Sequence, residues 1–559
     1  MTQLRTGGRI LVDNLIAQGV DRLFQVPGES FLAVLDALHD TPEIEVVTCR
    51  QEGGAAFMAC ADGTLTGRPG ICFVTRGPGA TNASIGVHVA RQDSQPMILF
   101  VGDIDRGHRH REAFQEIDFE AMFAPIAKWA ARIDDARRLP EYIARAFNTA
   151  MSGRPGPVVL ALPEDMLRDE VEAVDRPRVE WRSQAISQIM SVEIIEAIAL
   201  AKAPIAIVGG AGWANATGVR FRLFAEACGL PVAAAFRRQD AISNSSSVWA
   251  GNLGYGPNPK LVARIRAADL LLVVGARLGE ATTDGYELVR PNHPSQCLIH
   301  IHPDPSEIGR VYTPDSLSVC TTVHNAASSL SYAAAEFFKD GPITLGSAKG
   351  MEAHADYLEW STPQPRDGVT LDLGLCVAAM RERLTPEDTI ICNGAGNFSG
   401  WWHRYWRYGG PGTQLAPTAG AMGYGVPAAV AAALRCPDKT VVAVAGDGDF
   451  LMNGQELATA VQHGANMLVI VVDNGGYGTI RMHQERDYPR RLSGTALHNP
   501  DFAALAKAYG CWSAMVETTE QFAPALDAAL NEQGVRLLHL KTDIEVITNS
   551  TTISRLRGV

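Results

Sequence analysis

Ala445 to Gly478 reads AGDGDFLMNGQELATAVQHGANMLVIVVDNGGYG. The apolar run Val441 to Ala445, which leads into it, has the length and composition of a buried strand. Gly446-Asp447-Gly448-Asp449 is expected as a tight turn. Gly454 to His463 is expected as a helix, with Leu457, Ala460 and Val461 on one face. Met467 to Val472 reads as a second buried strand, closed by Asp473-Asn474-Gly475-Gly476. Two parallel strands joined by a crossover helix bring their carboxyl ends to one edge of a sheet. Asp447 and Asn474, 27 residues apart, are therefore expected side by side. One carboxylate and one amide oxygen suit a hard cation that keeps waters and takes phosphate oxygens. The glycines let backbone N–H groups approach a phosphate at a helix start.

The rest of the chain sets that segment in context. A chain of 559 residues exceeds what one core supports, so two to four domains are expected. Hydrophobic content of 46% and charged content of 20% are those of a globular protein. A formal net charge of −12 argues against a nucleic-acid partner and against an anionic membrane surface. No apolar run reaches membrane-spanning length, and the first twenty residues lack the apolar core of a signal peptide. The ten cysteines are scattered, with no C-x-x-C pair, and read as reduced core residues. These features predict a cytoplasmic protein.

Short apolar runs alternate with helical stretches along the whole sequence. In the first third, Arg9 to Gln18 reads as a helix. Candidate strands are Arg22 to Val26, Val46 to Cys49, Ile71 to Thr75, Met97 to Val101 and Val158 to Leu162. Each of the first three runs into a glycine-rich or charged turn. The middle third offers Ile205 to Gly209, Val232 to Phe236, Leu270 to Gly275 and Leu298 to Ile301. The last third offers Thr389 to Cys392, Val441 to Ala445, Met467 to Val472 and Arg536 to Leu540. The alternation predicts an α/β protein of three doubly wound parallel-sheet domains, with ligands at the carboxyl ends of the strands. Pro163 to Arg182 and Lys339 to Asp367 read as linkers, giving domains at 1–172, 188–338 and 366–559. Gly209-Gly210-Ala211-Gly212 hints at a dinucleotide fingerprint, but position 215 is Asn and the third glycine is missing, which argues against NAD.

The segment GDG, about thirty residues, then N resembles the diphosphate-binding motif of thiamine diphosphate enzymes. The resemblance extends over nearly the whole chain and is to the acetolactate synthase-like branch. It implies a pyrimidine-binding domain first, a middle domain, and a diphosphate-binding domain last. Asp447, Asn474 and the carbonyl of Gly476 would then hold Mg²⁺ against the cofactor diphosphate. Gly446, Gly448, Asp449, Tyr477 and Gly478 would complete that side. Glu52, in CRQEGGAA, matches the acid that faces the aminopyrimidine ring, which it would activate by hydrogen bonding. Without the resemblance, Glu52 reads more readily as a carboxylate favoured by a helix N-terminus.

Pro27 and Gly28, and Asn82 in RGPGATNASIG, resemble pyrimidine-side turns. Arg76 stands there where Ser is common. Ala113-Phe114-Gln115-Glu116 resembles an AFQE string that puts Gln115 near the reacting carbon; Arg109 or Arg111 would steer an anionic 2-oxo acid. Gly420 and Met422 resemble the turn whose bulky residue bends the cofactor, and Gly396 and Asn397, at another strand end, would touch the diphosphate through their backbone.

The activity implied is decarboxylation of a 2-oxo acid such as pyruvate, then ligation of the resulting enamine to a second carbonyl. A plain 2-oxo acid decarboxylase or other carbon–carbon lyase is the alternative, and a non-catalytic cofactor-binding subunit is a reading of another class. The divided site of the family implies at least a homodimer, with a homotetramer expected. Two departures stand out. Gly275-Ala276-Arg277 resembles the GAR string of flavin-containing members, but LGEAT replaces its usual continuation, which leaves FAD open. His483 stands where a pocket tryptophan is expected, so Met482 and His483 become candidate pocket residues.

Overall fold

The computed structural model describes residues 4–178, 183–291, 295–314, 317–339 and 344–558. They form three six-stranded sheets in which every pairing is parallel, and a two-stranded antiparallel pair, Leu4–Thr6 with Glu170–Glu172. Helices cover the sheets, so the strands are buried on both faces and read as continuous apolar runs. Val441 to Ala445 and Met467 to Val472 are at most 4% exposed.

The first and third sheets share one strand order. Numbering the strands of each sheet along the chain, both run 2-1-3-4-6-5. In the first, strand 1 is Arg22–Gln25 and strand 3 is Gly70–Val74; in the third, they are Thr389–Asn393 and Thr440–Gly446. The middle sheet runs 3-2-1-4-5-6, with Pro204–Val208 beside Leu270–Val274. In all three the order reverses beside strand 1. At such a switch point the loops leave a crevice at the carboxyl ends of the strands. The glycine turns gather there. A Cβ on Gly28 would stand 2.4 Å from the Thr75 Cβ, and one on Gly394 would stand 2.1 Å from an Asp449 oxygen.

The chain groups into two compact units. One comprises 1–181, 417–437 and 453–466; the other comprises 182–416, 438–452 and 467–559. In the first unit, the helix Glu52–Thr66 packs on the alanine-rich helix Gly425–Arg435. Phe57 meets Tyr424 edge-on at 5.4 Å, and Arg435 pairs with Asp62 and Asp21. In the second unit, the third sheet carries its core on one face, where Trp402, Trp406 and Tyr408 are fully enclosed. The run of aromatics from Trp401 is thus packing.

Several local expectations need correction. Gly446 ends its strand and Asp447 opens a helix, Asp447–Asn453, with no intervening turn. A second helix, Glu456–Gln462, follows. The stretch read as a first linker contains the helix Glu164–Arg168 and the strand Glu170–Glu172; residues 179–182 lie outside the described residues. The stretch read as a second linker contains the helix Thr344–Trp360, with 340–343 outside the described residues. Its Tyr357 is enclosed against Trp249, so packing within the unit sets that helix. Each sheet also has edge strands that no apolar run announced: Trp129–Arg132, Trp249–Asn252, Ser318–Cys320, Gln414–Leu415 and Trp512–Val516.

Candidate functional site

At the third sheet, Gly446 pairs with Val472, so the two strands end level. Asp447 follows one and Asn474 the other. The Gly476 N–H donates to both, at 3.1 Å to Asp447 Oδ2 and 3.1 Å to Asn474 Oδ1. Asp447 is 3% exposed. Its Oδ1 accepts the Gly448 N–H at 2.9 Å, the bond of a carboxylate at a helix start. Burial raises its pKa, against hydrogen bonds from Asn499 and Gly448. A Cβ on Gly448 would stand 2.6 Å from the Tyr477 ring, so the close approach of Tyr477 requires glycine there.

Asn499 escaped the sequence reading. Its Nδ2 donates to Asp447 Oδ2 and to Asp473 Oδ1, each at 2.7 Å. Two carboxylates on one nitrogen fix the orientation of the amide. The remaining oxygen, Oδ1, is enclosed with no hydrogen-bond partner among the described residues. Burial works against ionisation of Asp473, but bonds from His539, Lys541 and Asn499 outweigh it and hold that carboxyl well below its ordinary range. Asp473 is therefore committed to local ion pairs, while Asp447 keeps lone-pair capacity on both oxygens.

This donor set fits a hard divalent cation. A carboxylate, an amide oxygen and a leftover amide acceptor lie together, next to backbone N–H groups at a helix start. Among the described residues no three His, Cys, Asp or Glu side chains converge on a point. A cation here would complete its shell with phosphate and water oxygens.

Gly396 and Asn397 lie beside the same strand ends. The Asn397 N–H donates to Thr479 Oγ1 at 3.0 Å, and its Nδ2 donates to the Ile547 carbonyl and the Met482 sulfur. Asn397 and Asn474 both line a small cavity with Phe398 and Trp401. The helix Gly478–Asp487, which carries Met482 and His483, is thus tied by its first turn to the Asn397 loop.

In the other unit, Glu52 opens the helix Glu52–Thr66 and is half-buried. Its Oε2 accepts from Asn82 Nδ2 at 2.9 Å. Asn82 lies in the first turns of the helix Gly77–Asp93. The N–H that opens that helix, on Gly77, donates to the Gln115 carbonyl at 3.1 Å. Glu52, Asn82 and Gln115 therefore gather around one helix start. Gln115 holds φ at +65°, one of three non-glycine left-handed residues in its loop, with His110 and Glu112. Glu116 stabilises that loop by accepting the N–H groups of His110 and Ala113 at 2.7 and 2.9 Å. Arg76 pairs with Glu29 and Glu164 behind Pro27 and Gly28. Arg109 lines a cavity of about 90 Å³ with Asp103 and Arg132, and Arg111 is exposed. Gly420 and Met422 belong to the same unit; Gly420 is left-handed and exposed, and Met422 is half-buried.

Comparison with known proteins agrees with this layout. Residues 5–122 match the N-terminal thiamine pyrophosphate-binding domain of thiamine pyrophosphate enzymes, 192–330 match their central domain, and 394–540 match their C-terminal thiamine pyrophosphate-binding domain. The chain is 31% identical to the acetolactate synthase large subunit of Corynebacterium glutamicum, over 94% of this chain and 84% of that protein. It is 30% identical to the isozyme 2 large subunit of acetolactate synthase from Escherichia coli, over 96% of this chain and 95% of that one. An acetolactate synthase of Bacillus subtilis is 28% identical over 96% of the chain.

Proposed function

Because the chain belongs to the thiamine diphosphate-dependent enzymes, and is acetolactate synthase-like, we propose that it decarboxylates a small 2-oxo acid of the pyruvate type and joins the remaining fragment to a second carbonyl compound. The single observation that carries the reading is the convergence of Asp447 and Asn474 on the Gly476 N–H. Mg²⁺ would be held by the Asp447 carboxylate, the Asn474 amide oxygen and the Gly476 carbonyl. The N–H groups of the glycine turns would face the diphosphate. When bound, thiamine diphosphate supplies an electron sink for carbon next to a carbonyl.

The protein residues divide the remaining work. Asn82 occupies Glu52 Oε2, so Oε1 is the oxygen that would be left to hydrogen-bond the aminopyrimidine ring. Gln115, fixed through its own carbonyl to Gly77, offers its side-chain amide to a developing oxyanion. Arg109 steers the anionic substrate inward. Met422 would pack under the cofactor, and Pro27, Gly28, Gly396, Asn397 and Gly420 would line its site.

The reading takes the pyrimidine-binding domain as 1–172, the middle domain as 188–338 and the diphosphate-binding domain as 366–559. Glu52 of one chain would act on a cofactor held by the partner subunit's Asp447, so a homodimer is the smallest active unit and a homotetramer is expected. The net charge of −12 argues against a nucleic-acid partner and against an anionic membrane surface. The scattered cysteine spacing supports a cytoplasmic setting. FAD binding by the middle domain is tested by the flavin absorbance of the purified protein.

His483, in place of a pocket tryptophan, favours a second reading in which the acceptor is a proton and the enzyme is a 2-oxo acid decarboxylase. Product analysis with pyruvate, with and without added aldehydes or 2-oxo acids, separates the two: acetolactate or a mixed ligation product supports the first, acetaldehyde alone the second. Asp447→Ala tests the clamp. It should abolish the upward shift in melting temperature that thiamine diphosphate and Mg²⁺ produce. An unchanged shift would remove Asp447 from cofactor binding.

A further inference from the structure

A buried acid stands directly behind the turn that displays Glu52. Glu456 is fully buried, on the helix Glu456–Gln462. Its carboxylate accepts the Arg50 N–H, at 3.1 Å to Oε1 and 3.2 Å to Oε2. The Gln51 N–H, next along the chain, adds to the Arg50 N–H in favouring the ionised carboxylate. Thr459 Oγ1 donates to Oε2 at 2.6 Å. A Cβ on Gly54 would stand 2.8 Å from Oε1, so the helix that begins with Glu52 passes against the carboxylate at contact distance. Two further side chains of the same helical segment grip the same turn. His463 Nε2 accepts the Thr48 N–H at 3.1 Å, and Gln462 accepts from the Arg50 guanidinium. The Thr48 and Arg50 N–H groups, just before Glu52, thus end on side chains of 456–463, while the Cys49 N–H between them bonds to the Gln25 carbonyl of the neighbouring strand at 2.8 Å.

Burying a carboxylate is costly unless hydrogen bonds compensate it. The Thr459 hydroxyl and the Arg50 N–H compensate this one, and the second belongs to the turn that leads into Glu52. A core of the same shape would be served as well by an apolar residue. We propose that Glu456 is a positioning residue for Glu52: through the Arg50 N–H and the contact at Gly54 it sets the turn before Glu52, and with it the direction in which the Glu52 carboxylate leaves the first turn of its helix. Glu456 lies between Asp447 and Asn474 in sequence. The segment that carries the cation clamp therefore also orients the acid of the same chain, which in the divided site serves the other cofactor. The inference rests on the reading of Glu52 as the group that activates the cofactor ring.

The test is hydrogen–deuterium exchange at C2 of the bound thiamine ring, measured without substrate by quenched-flow NMR on the holoenzyme. Exchange reports ring activation and not turnover. Glu456→Gln keeps volume but turns an NH₂ group on part of the donor cluster. It should slow exchange about tenfold or more, as expected when a supporting hydrogen-bond partner is lost. The apparent Kd for thiamine diphosphate should stay within about twofold, because the diphosphate clamp is untouched. Thr459→Val removes one donor at nearly constant volume and should slow exchange by a smaller factor. It carries the test if Glu456→Gln does not fold. Glu52→Gln is the control. If it leaves exchange intact, the reading of Glu52 itself fails. If it abolishes exchange while the Glu456 or Thr459 variant exchanges at the unmodified rate, Glu456 has no positioning role.

Discussion

Asn499 shows how much of the clamp depends on a residue far from the motif in sequence. Its single nitrogen bridges Asp447 and Asp473 at 2.7 Å each. Without it, two buried carboxylates face each other across a gap, and the Asp473 charge raises the pKa of Asp447 further. Hydrogen bonds to a charged group contribute about 1.5–3 kcal/mol, and loss of a partner behind a metal ligand costs about 10–100-fold in affinity. Asn499→Ala is therefore expected to weaken Mg²⁺-dependent binding of thiamine diphosphate by at least about tenfold. The fold should be retained, because Asp473 keeps its bonds to His539 and Lys541. Titration of the cofactor-dependent melting shift measures this; an affinity equal to that of the unmodified protein would show that Asn499 is only structural.

At the scale of elements, the helix Gly478–Asp487 is held at both ends. Thr479 bonds to Asn397 at its start. Near its end, Glu485 is fully enclosed between Arg481 and Arg557, and its oxygens also take the Arg490 N–H. Met482 and His483 therefore sit on a fixed element, as the proposed pocket role requires. The Arg557 hydrogen bond, against the cost of burial, holds the Glu485 carboxyl down to about 2, from an ordinary value of 4.5. The folded pKa is depressed, so the stabilisation is whole above the ordinary value and is lost as pH falls from 4.5 towards about 2. Glu485→Gln should lower the melting temperature clearly near neutral pH. The gap to the unmodified protein should narrow as the melt is repeated at falling pH below 4.5. A gap that does not change with pH would separate Glu485 from this linkage.

At the scale of the molecule, the first and third sheets repeat one topology, 2-1-3-4-6-5. Each presents its glycine turns at the same switch point. One repeat displays Glu52, Asn82 and Gln115; the other displays Asp447 and Asn474. The proposed divided site makes a prediction about assembly. Glu52→Gln and Asp447→Ala should each be inactive alone. Co-expressed and reassembled as mixed dimers, they should regain activity, because one of the two sites then has an intact Glu52 and an intact Asp447 from different chains. Mixed dimers that stay inactive, while each parent remains folded and dimeric, would place both residues in a site made by one chain.

Much of this arrangement was already legible along the chain. The strands of Val441 to Ala445 and Met467 to Val472 announce themselves by unbroken apolar runs, because a strand buried on both faces has no polar side to show. Their parallel pairing follows from the helical stretch between them, and with it the juxtaposition of Asp447 and Asn474. What the linear pattern concealed falls into two kinds. Edge strands such as Trp129–Arg132 and Gln414–Leu415 are short, and the helix Thr344–Trp360 hid in a stretch read as a linker; neighbours in the fold, not local periodicity, stabilise them. Asn499, and the placement of Glu456 under the Glu52 turn, depend on contacts across 26 to 406 residues of chain. A hydrogen-bond partner at that separation leaves no periodic trace, so only the packed tertiary structure decides which polar group meets which.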